Sequence, residues 1–94
     1  MVKIRSPIVN PVAQILTDPH PSSRRAAAQV LNQMGTAASG AAPALIDALN
    51  DKDPEVRQQS AEALAKIGTP EARKSLRFFP IRDKIRRLIS RFTP

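Results

Sequence analysis

The chain has 94 residues, enough for one small domain, and alanine is the most frequent residue in its apolar fraction of 41%. Large apolar side chains are too scarce for a thick core, which favours helices that approach closely over alanine surfaces. The absence of cysteine excludes disulfides and thiolate metal sites and suits a cytoplasmic location. The net charge of +7 is uneven, because residues 71–94 hold eight Lys/Arg against two Asp/Glu.

The N-terminal stretch "MVKIRSPIVNPVAQIL" contains prolines within its apolar part, so we interpret it as folded structure rather than a signal peptide. No apolar run approaches the roughly 18 residues of a membrane-spanning helix. A short first helix is expected to begin at Asn10–Pro11 and to carry an apolar face. That face comprises Val12, Ile15 and Leu16.

Two longer helices are predicted, each opening on a proline, which is tolerated at the first helical position. The earlier one starts at Pro21 and ends at Gly35, and its apolar face comprises Ala27, Val30, Leu31 and Met34. The later one starts at Pro54 after the cap Asp53 and ends at Gly68. Its apolar face comprises Val56, Ser60, Ala63, Leu64 and Ile67.

A short helix also precedes the later long helix, and two more follow it. The short helix has an apolar face of Ala42, Leu45, Ile46 and Leu49. Beyond Gly68, "TPEARKSLRFF" predicts a helix capped by Thr69 and stopped by Pro80. The last predicted helix has an apolar stripe of Ile81, Ile85, Leu88, Ile89 and Phe92.

Part of the chain is duplicated. Aligned at an offset of 33, "LTDPHPSSRRAAAQVLNQMGT" and "LNDKDPEVRQQSAEALAKIGT" match at eight of 21 positions. A fixed period of this size is typical of repeat proteins, in which each repeat is one supersecondary unit. We therefore predict an all-α fold, a short right-handed α-solenoid of about three helical hairpins. Residues 1–94 would form one domain with repeats at roughly 7–36, 41–69 and 70–94, the last an atypical basic cap.

The phrase "LNDKDPEVRQQSAEALAKIG" resembles the HEAT-like repeat, in the short alanine-rich type first noted in phycobilisome bilin lyases of cyanobacteria. The resemblance covers about residues 16–79 and is specific for fold, whereas such repeats serve many functions. It implies that the turn Asp and the early Arg of each repeat tie neighbouring repeats together. The structural positions of the repeat are then Asp18, Arg24, Gly35, Asp51, Arg57 and Gly68.

No catalytic or metal-binding constellation is recognisable. His20 is the one histidine, and it lies in the proline-flanked turn "DPHPSS", where a turn or capping role is expected. The His-Glu pairs of the HEAT-like deoxyhypusine hydroxylases are missing, and so is a glycine-rich phosphate loop. Bilin lyases resemble this chain but are much longer. We expect no enzyme activity, no cofactor and no small-molecule substrate.

The basic C-terminal part is the best candidate for a binding surface. Eight cations lie there, namely Arg73, Lys74, Arg77, Arg82, Lys84, Arg86, Arg87 and Arg91. An acidic protein partner is the favoured hypothesis, which makes the chain an interaction module or scaffold. Alternatives are non-specific binding of nucleic acid, binding of an anionic membrane surface, and an accessory role in bilin attachment or phycobilisome handling.

The long helices should also line an inner surface of the stack. Its exposed candidates are Arg25, Gln29, Asn32, Gln33, Gln58, Gln59, Glu62 and Lys66. These side chains carry little net charge, and aromatic residues for base stacking are scarce. The inner surface therefore does not predict sequence-specific recognition of nucleic acid.

Overall fold

The computed structural model describes residues 9–77 and 79, and the regular structure in this part of the chain is helical. The elements in chain order are α1 Val9–Ile15, α2 Pro21–Met34, a 3-10 helix Gly35–Ala41, α3 Ala42–Ala48, α4 Pro54–Ile67 and α5 Pro70–Leu76. The predicted helix over residues 81–92 lies outside the described residues.

The helices begin where local chemistry satisfies their free N–H groups. The Asp53 carboxylate accepts a hydrogen bond from the backbone N of Val56 at 3.3 Å, and Thr69 Oγ1 accepts one from Ala72 N at 3.3 Å. Both predicted caps are thus confirmed. His20 holds the equivalent position before α2, but its side chain makes no capping hydrogen bond.

The two long helices end at glycines with positive φ, as expected. Gly35 has φ 60° and Gly68 has φ 67°, a region that side chains disfavour because Cβ crowds the backbone. After Gly68 the chain is extended at Thr69, whereas after Gly35 it winds into a 3-10 helix. The predicted repeats, at roughly 7–36 and 41–69, leave residues 37–40 without an assigned element. Burial of Ala38 and Ala41 explains why this stretch is ordered as a helical turn.

The short and long helices pair as two hairpins, which we call hairpin 1 (α1 and α2) and hairpin 2 (α3 and α4). α1 packs on α2, α3 packs on α4, and α2 lies against α4 in the most extensive helix contact of residues 9–77. α5 then packs against both α3 and α4. Half of the buried apolar residues in this part of the chain are alanines, so the helices approach closely.

Larger side chains fill the centre of each hairpin. Leu31, Leu45 and Leu64 are fully buried, and each contributes about 1.5–3 kcal/mol by leaving water. The predicted apolar face of α4 is confirmed at all five positions. On hairpin 1 the prediction is wrong at Ile15 and Val30, which are 41% and 37% exposed. The reason is that no described element covers this side of hairpin 1.

Candidate functional site

The turn and arginine positions of the repeat meet between the two hairpins. Arg24 on α2 donates from Nε to Asp51 Oδ2 at 2.8 Å and from Nη2 to Asp51 Oδ1 at 3.2 Å. Its Nη1 donates to the carbonyls of Asp18 and Pro19 at 2.8 and 3.0 Å. The side chains of Arg24 and Asp51 are only 13% and 11% exposed. One guanidinium therefore closes its own turn and clasps the next hairpin, a geometry for which arginine is suited.

Arg57 closes the turn of hairpin 2 in the same way. Its Nη1 donates to the carbonyls of Asp51 and Lys52 at 2.9 and 3.1 Å, and the residue is 5% exposed. The arginines of the predicted structural set thus hold the backbone of the hairpin turns, whereas its glycines, Gly35 and Gly68, end the long helices.

Asp18 forms the equivalent turn in hairpin 1. Its Oδ1 accepts from His20 N at 2.8 Å, as Asp51 Oδ1 accepts from Asp53 N at 2.8 Å. His20 Nδ1 lies 3.0 Å from the same oxygen. The backbone N–H of His20, with its ring, lowers the pKa of the Asp18 carboxyl below its ordinary value of 3.8. His20 is therefore a turn residue bound to its neighbour.

A second clasp, which sequence reasoning missed, lies beside the first. Arg25 Nε donates to Asp53 Oδ2 at 2.6 Å and Nη2 donates to Asp53 Oδ1 at 3.3 Å. The Arg25 side chain is 50% exposed, whereas that of Asp53 is 12% exposed. The hydrogen bond from Arg25 lowers the pKa of Asp53 below 3.8. The sequence held one signal for this pair. Arg25 and Asp53 are 28 residues apart, close to the 27 residues that separate Arg24 and Asp51.

The predicted inner surface is largely a hydrogen-bonded seam between α2 and α4. Asn32 was expected to be exposed but is 7% exposed, because its Nδ2 donates to Gln59 Oε1 at 2.8 Å and Glu62 Oε1 at 3.1 Å. Lys66 Nζ donates to the Asn32 carbonyl at 3.2 Å. These residues therefore join the hairpins and are less available to a partner than the sequence suggested.

An open groove of about 540 Å³ runs along the start of this seam. Its lining comprises Arg25, Gln29, Asp53, Pro54, Glu55, Gln58 and Gln59. The mixture of both charges with three glutamines suits a polar segment of a partner. The lining contains no serine, threonine, cysteine or histidine.

The basic residues divide between described and undescribed parts of the chain. Arg73, Lys74 and Arg77 are exposed on and just after α5, and none of them forms an ion pair within residues 9–77 and 79. The remaining five predicted contacts lie outside the described residues, namely Arg82, Lys84, Arg86, Arg87 and Arg91. The described part of the predicted surface is thus solvent-facing and positively charged.

Among the described residues no three His, Cys, Asp or Glu side chains converge as metal ligands would. None of the helices described is long and apolar enough to cross a membrane.

Two stacked helical hairpins, joined by repeated Arg–Asp clasps over an alanine-rich core, define an α-helical repeat protein. The comparison with protein families agrees, because residues 9–79 match the family described as HEAT repeats. The chain belongs to the HEAT-repeat family, whose members are in general protein-interaction modules. No match was found among curated proteins or among solved structures.

Proposed function

We propose that the chain is a non-enzymatic interaction module that binds an acidic protein through the cations of residues 71–94, which we call the basic segment. The proposal rests on one observation: carboxylates neutralise some of the described arginines but not the cations on and just after α5. Arg24 and Arg25 are each held by a carboxylate, whereas Arg73, Lys74 and Arg77 face solvent with no acid in contact among the described residues. Unneutralised cations of one sign attract a partner of the opposite sign.

The rest of the described surface offers less. The seam between α2 and α4 carries Arg25, Glu55, Glu62 and Lys66, so its charges are mixed. A nucleic acid needs a continuous basic track, and the seam does not provide one. Nucleic acid therefore ranks below an acidic protein as a partner, and so does an anionic membrane surface, because the chain has no tryptophan to favour the membrane interface. By analogy with the bilin lyases whose repeats the sequence resembles, acidic phycobiliproteins are a candidate partner. The chain would then have an accessory role in bilin attachment.

We further propose that the two described hairpins belong to a right-handed stack of three with a period of 33 residues. The bounds of α3 and α4 follow those of α1 and α2 at that spacing, and α5, which begins 28 residues after the start of α3, would be the first helix of the third hairpin. The third hairpin would bring the remaining cations beside Arg73 and Lys74. Amide hydrogen exchange on the full chain tests this, because protection over residues 81–92 is expected and free exchange there would contradict it.

A cytoplasmic location is proposed from the lack of cysteine, since a reducing compartment does not need disulfides. Fractionation of the native host, with the chain followed by antibody, tests it.

Binding to three polyanions tests the function. Immobilised poly-L-glutamate, random 30-base-pair DNA and phosphatidylserine vesicles are compared over a salt titration, with the wild type, Arg73→Glu/Lys74→Glu and the control Lys52→Glu. Lys52 is an exposed cation far along the chain from the basic segment. We expect roughly tenfold weaker binding to poly-L-glutamate for the double variant and little change for the control.

Each other outcome is informative. Equal losses for Lys52→Glu would mean that net charge alone matters, which overturns the basic segment as the site. Retention by DNA or vesicles without retention by poly-L-glutamate would overturn the acidic-protein assignment. Co-purification from the native host, with Arg86→Glu/Arg87→Glu as control, then identifies the partner.

A further inference from the structure

Hairpin 1 has a side that hairpin 2 does not cover. We call it the N-terminal face and define it by Ile15, Asp18, Val30 and Gln33. Because α3 and α4 have the bounds of α1 and α2 moved by 33 residues, each of these positions has a counterpart in hairpin 2. In hairpin 2, Asp51 and Lys66 bond hairpin 1, and Ala48 and Ala63 are buried, so the structure shows what these positions look like when neighbours cover them.

The apolar positions differ in burial and in size. Val30 is 37% exposed, and its counterpart Ala63 is fully buried. Ala63 lies one and three residues from Glu62 and Lys66, which bond α2, so it is on the face of α4 that meets hairpin 1. Ile15 is 41% exposed, whereas its counterpart Ala48 is 6% exposed. An outer face of a repeat stack is ordinarily polar, whereas these two exposed side chains are large and aliphatic.

At Asp18 only one of the two carboxylate oxygens accepts a hydrogen bond from a described residue. Asp18 Oδ1 accepts from its own turn as Asp51 Oδ1 does, at the same distance of 2.8 Å. Asp51 Oδ2 receives the guanidinium of Arg24. Asp18 Oδ2 receives no donor from residues 9–77 and 79, and the Asp18 side chain is 36% exposed. The receiving geometry for an arginine is therefore formed at Asp18, and no arginine of the described residues occupies it.

The polar positions complete the correspondence. Glu62 and Lys66 bond the side chain and the carbonyl of Asn32 across the seam. Their counterparts Gln29 and Gln33 are exposed and have no side-chain hydrogen bond with any described residue, but Gln29 lines the groove toward hairpin 2. The carboxamide of Gln33 can donate and accept, so this residue is able to meet an incoming helix.

We propose that the N-terminal face binds a helical hairpin of the same repeat type on a partner chain, with an arginine of that hairpin on Asp18. We choose this occupant because the interface between hairpins 1 and 2 is the same kind of contact, one repeat later in the chain. Hairpin 1 of a second copy could not supply the arginine for Asp18, because its Arg24 and Arg25 already bind Asp51 and Asp53. This surface is independent of the basic segment and of the function proposed for it.

An added hairpin tests the face directly. A duplicate of residues 9–41 is inserted ahead of Val9, behind the natural residues 1–8. This places the duplicate of Arg24 27 residues before Asp18, the separation of the Arg24–Asp51 pair. The thermal midpoint is then compared between the natural and extended chains, each with Asp18→Asn or with the control Asp47→Asn, an exposed acid on α3.

We expect one cooperative transition in the extended chain and a loss of about 3–5 °C from Asp18→Asn there. The natural chain should change by less than about 1 °C, and Asp47→Asn should change neither chain. A separate transition for the added hairpin would overturn the proposal, and so would an equal effect of Asp18→Asn in both chains. The latter would mean that residues 1–8 already cover the face.

Sedimentation of the natural chain separates a partner from a second copy. A monomer at all concentrations is expected. Concentration-dependent assembly that Val30→Ser abolishes would show that a second copy occupies the face, and would overturn the assignment to a partner chain.

Discussion

Hairpins 1 and 2 have helices of the same lengths and the same turn geometry, but hairpin 2 is the more deeply buried. Six residues of α4 are buried, against four of α2. α4 contacts α2, α3, α5 and the 3-10 helix, whereas α2 contacts α1, α4 and the 3-10 helix among the described elements. The comparison teaches that one repeated sequence pattern gives different burial according to how many neighbours flank it. Neighbours, rather than periodicity alone, decide which apolar side chains are exposed.

The largest test of this comparison is the pair Leu31→Ala and Leu64→Ala. Both leucines are fully buried, so both changes leave a cavity. We expect a loss in the free energy of unfolding of about 3 kcal/mol for Leu31→Ala and about 4 kcal/mol for Leu64→Ala. Hairpin 1 has an open side and can relax into its cavity, whereas hairpin 2 cannot. Urea unfolding measures both, and a larger loss at Leu31 would contradict the difference.

The two clasps should differ in the same direction as their burial. Arg24→Ala removes a bidentate hydrogen bond from the carboxylate of Asp51, which is largely buried. We therefore expect the free energy of unfolding to fall by about 2–3 kcal/mol. Arg25→Ala breaks a pair whose arginine is half exposed, and its effect should be clearly smaller. Chemical denaturation of both variants measures this, with Arg24→Lys retaining charge but not the bidentate geometry. Equal losses at Arg24 and Arg25 would show that burial does not set their contributions.

The caps of the long helices offer a smaller contrast. Asp53→Ala removes the carboxylate that accepts from Val56 N, with an expected loss of about 1 kcal/mol. His20→Ser supplies an acceptor that α2 lacks, with an expected gain of up to about 1 kcal/mol. Thermal unfolding of the two variants should therefore move the midpoint in opposite directions. A loss on His20→Ser would mean that the contact of His20 with Asp18 outweighs a cap.

The smallest effect is on the pH dependence. The hydrogen bond from Arg25 lowers the pKa of Asp53 below 3.8 in the folded chain. A carboxyl with a lowered folded pKa contributes stability that is fully present above its unfolded pKa and is lost as pH falls through the folded value. Stability should thus fall below about pH 4, and fall less steeply in Arg25→Ala. Unfolding midpoints from pH 2 to 6 measure this, and identical slopes in both chains would contradict the cause.

Much of the fold could be read from local signals in the sequence. Pro21, Pro54 and Pro70 mark helix starts, and Gly35 and Gly68 mark the ends, because these choices depend on backbone geometry within a few residues. The apolar period predicted the buried face of α4 for the same reason. The resemblance implied that Asp18, Arg24, Asp51 and Arg57 serve structure, and the fold brings them to the hairpin turns, where they form the hydrogen bonds described above.

Other features were decided only by tertiary structure. Asn32 has the sequence of an exposed polar residue, yet α4 covers it and supplies Gln59 and Glu62 as acceptors. Ile15 and Val30 have the sequence of core residues, yet they face outward because nothing in the described chain packs on that side. Periodicity assigns a residue to a side of its helix. Burial depends on whether another element occupies that side, and such contacts join residues about 27–34 positions apart, beyond the reach of a local pattern.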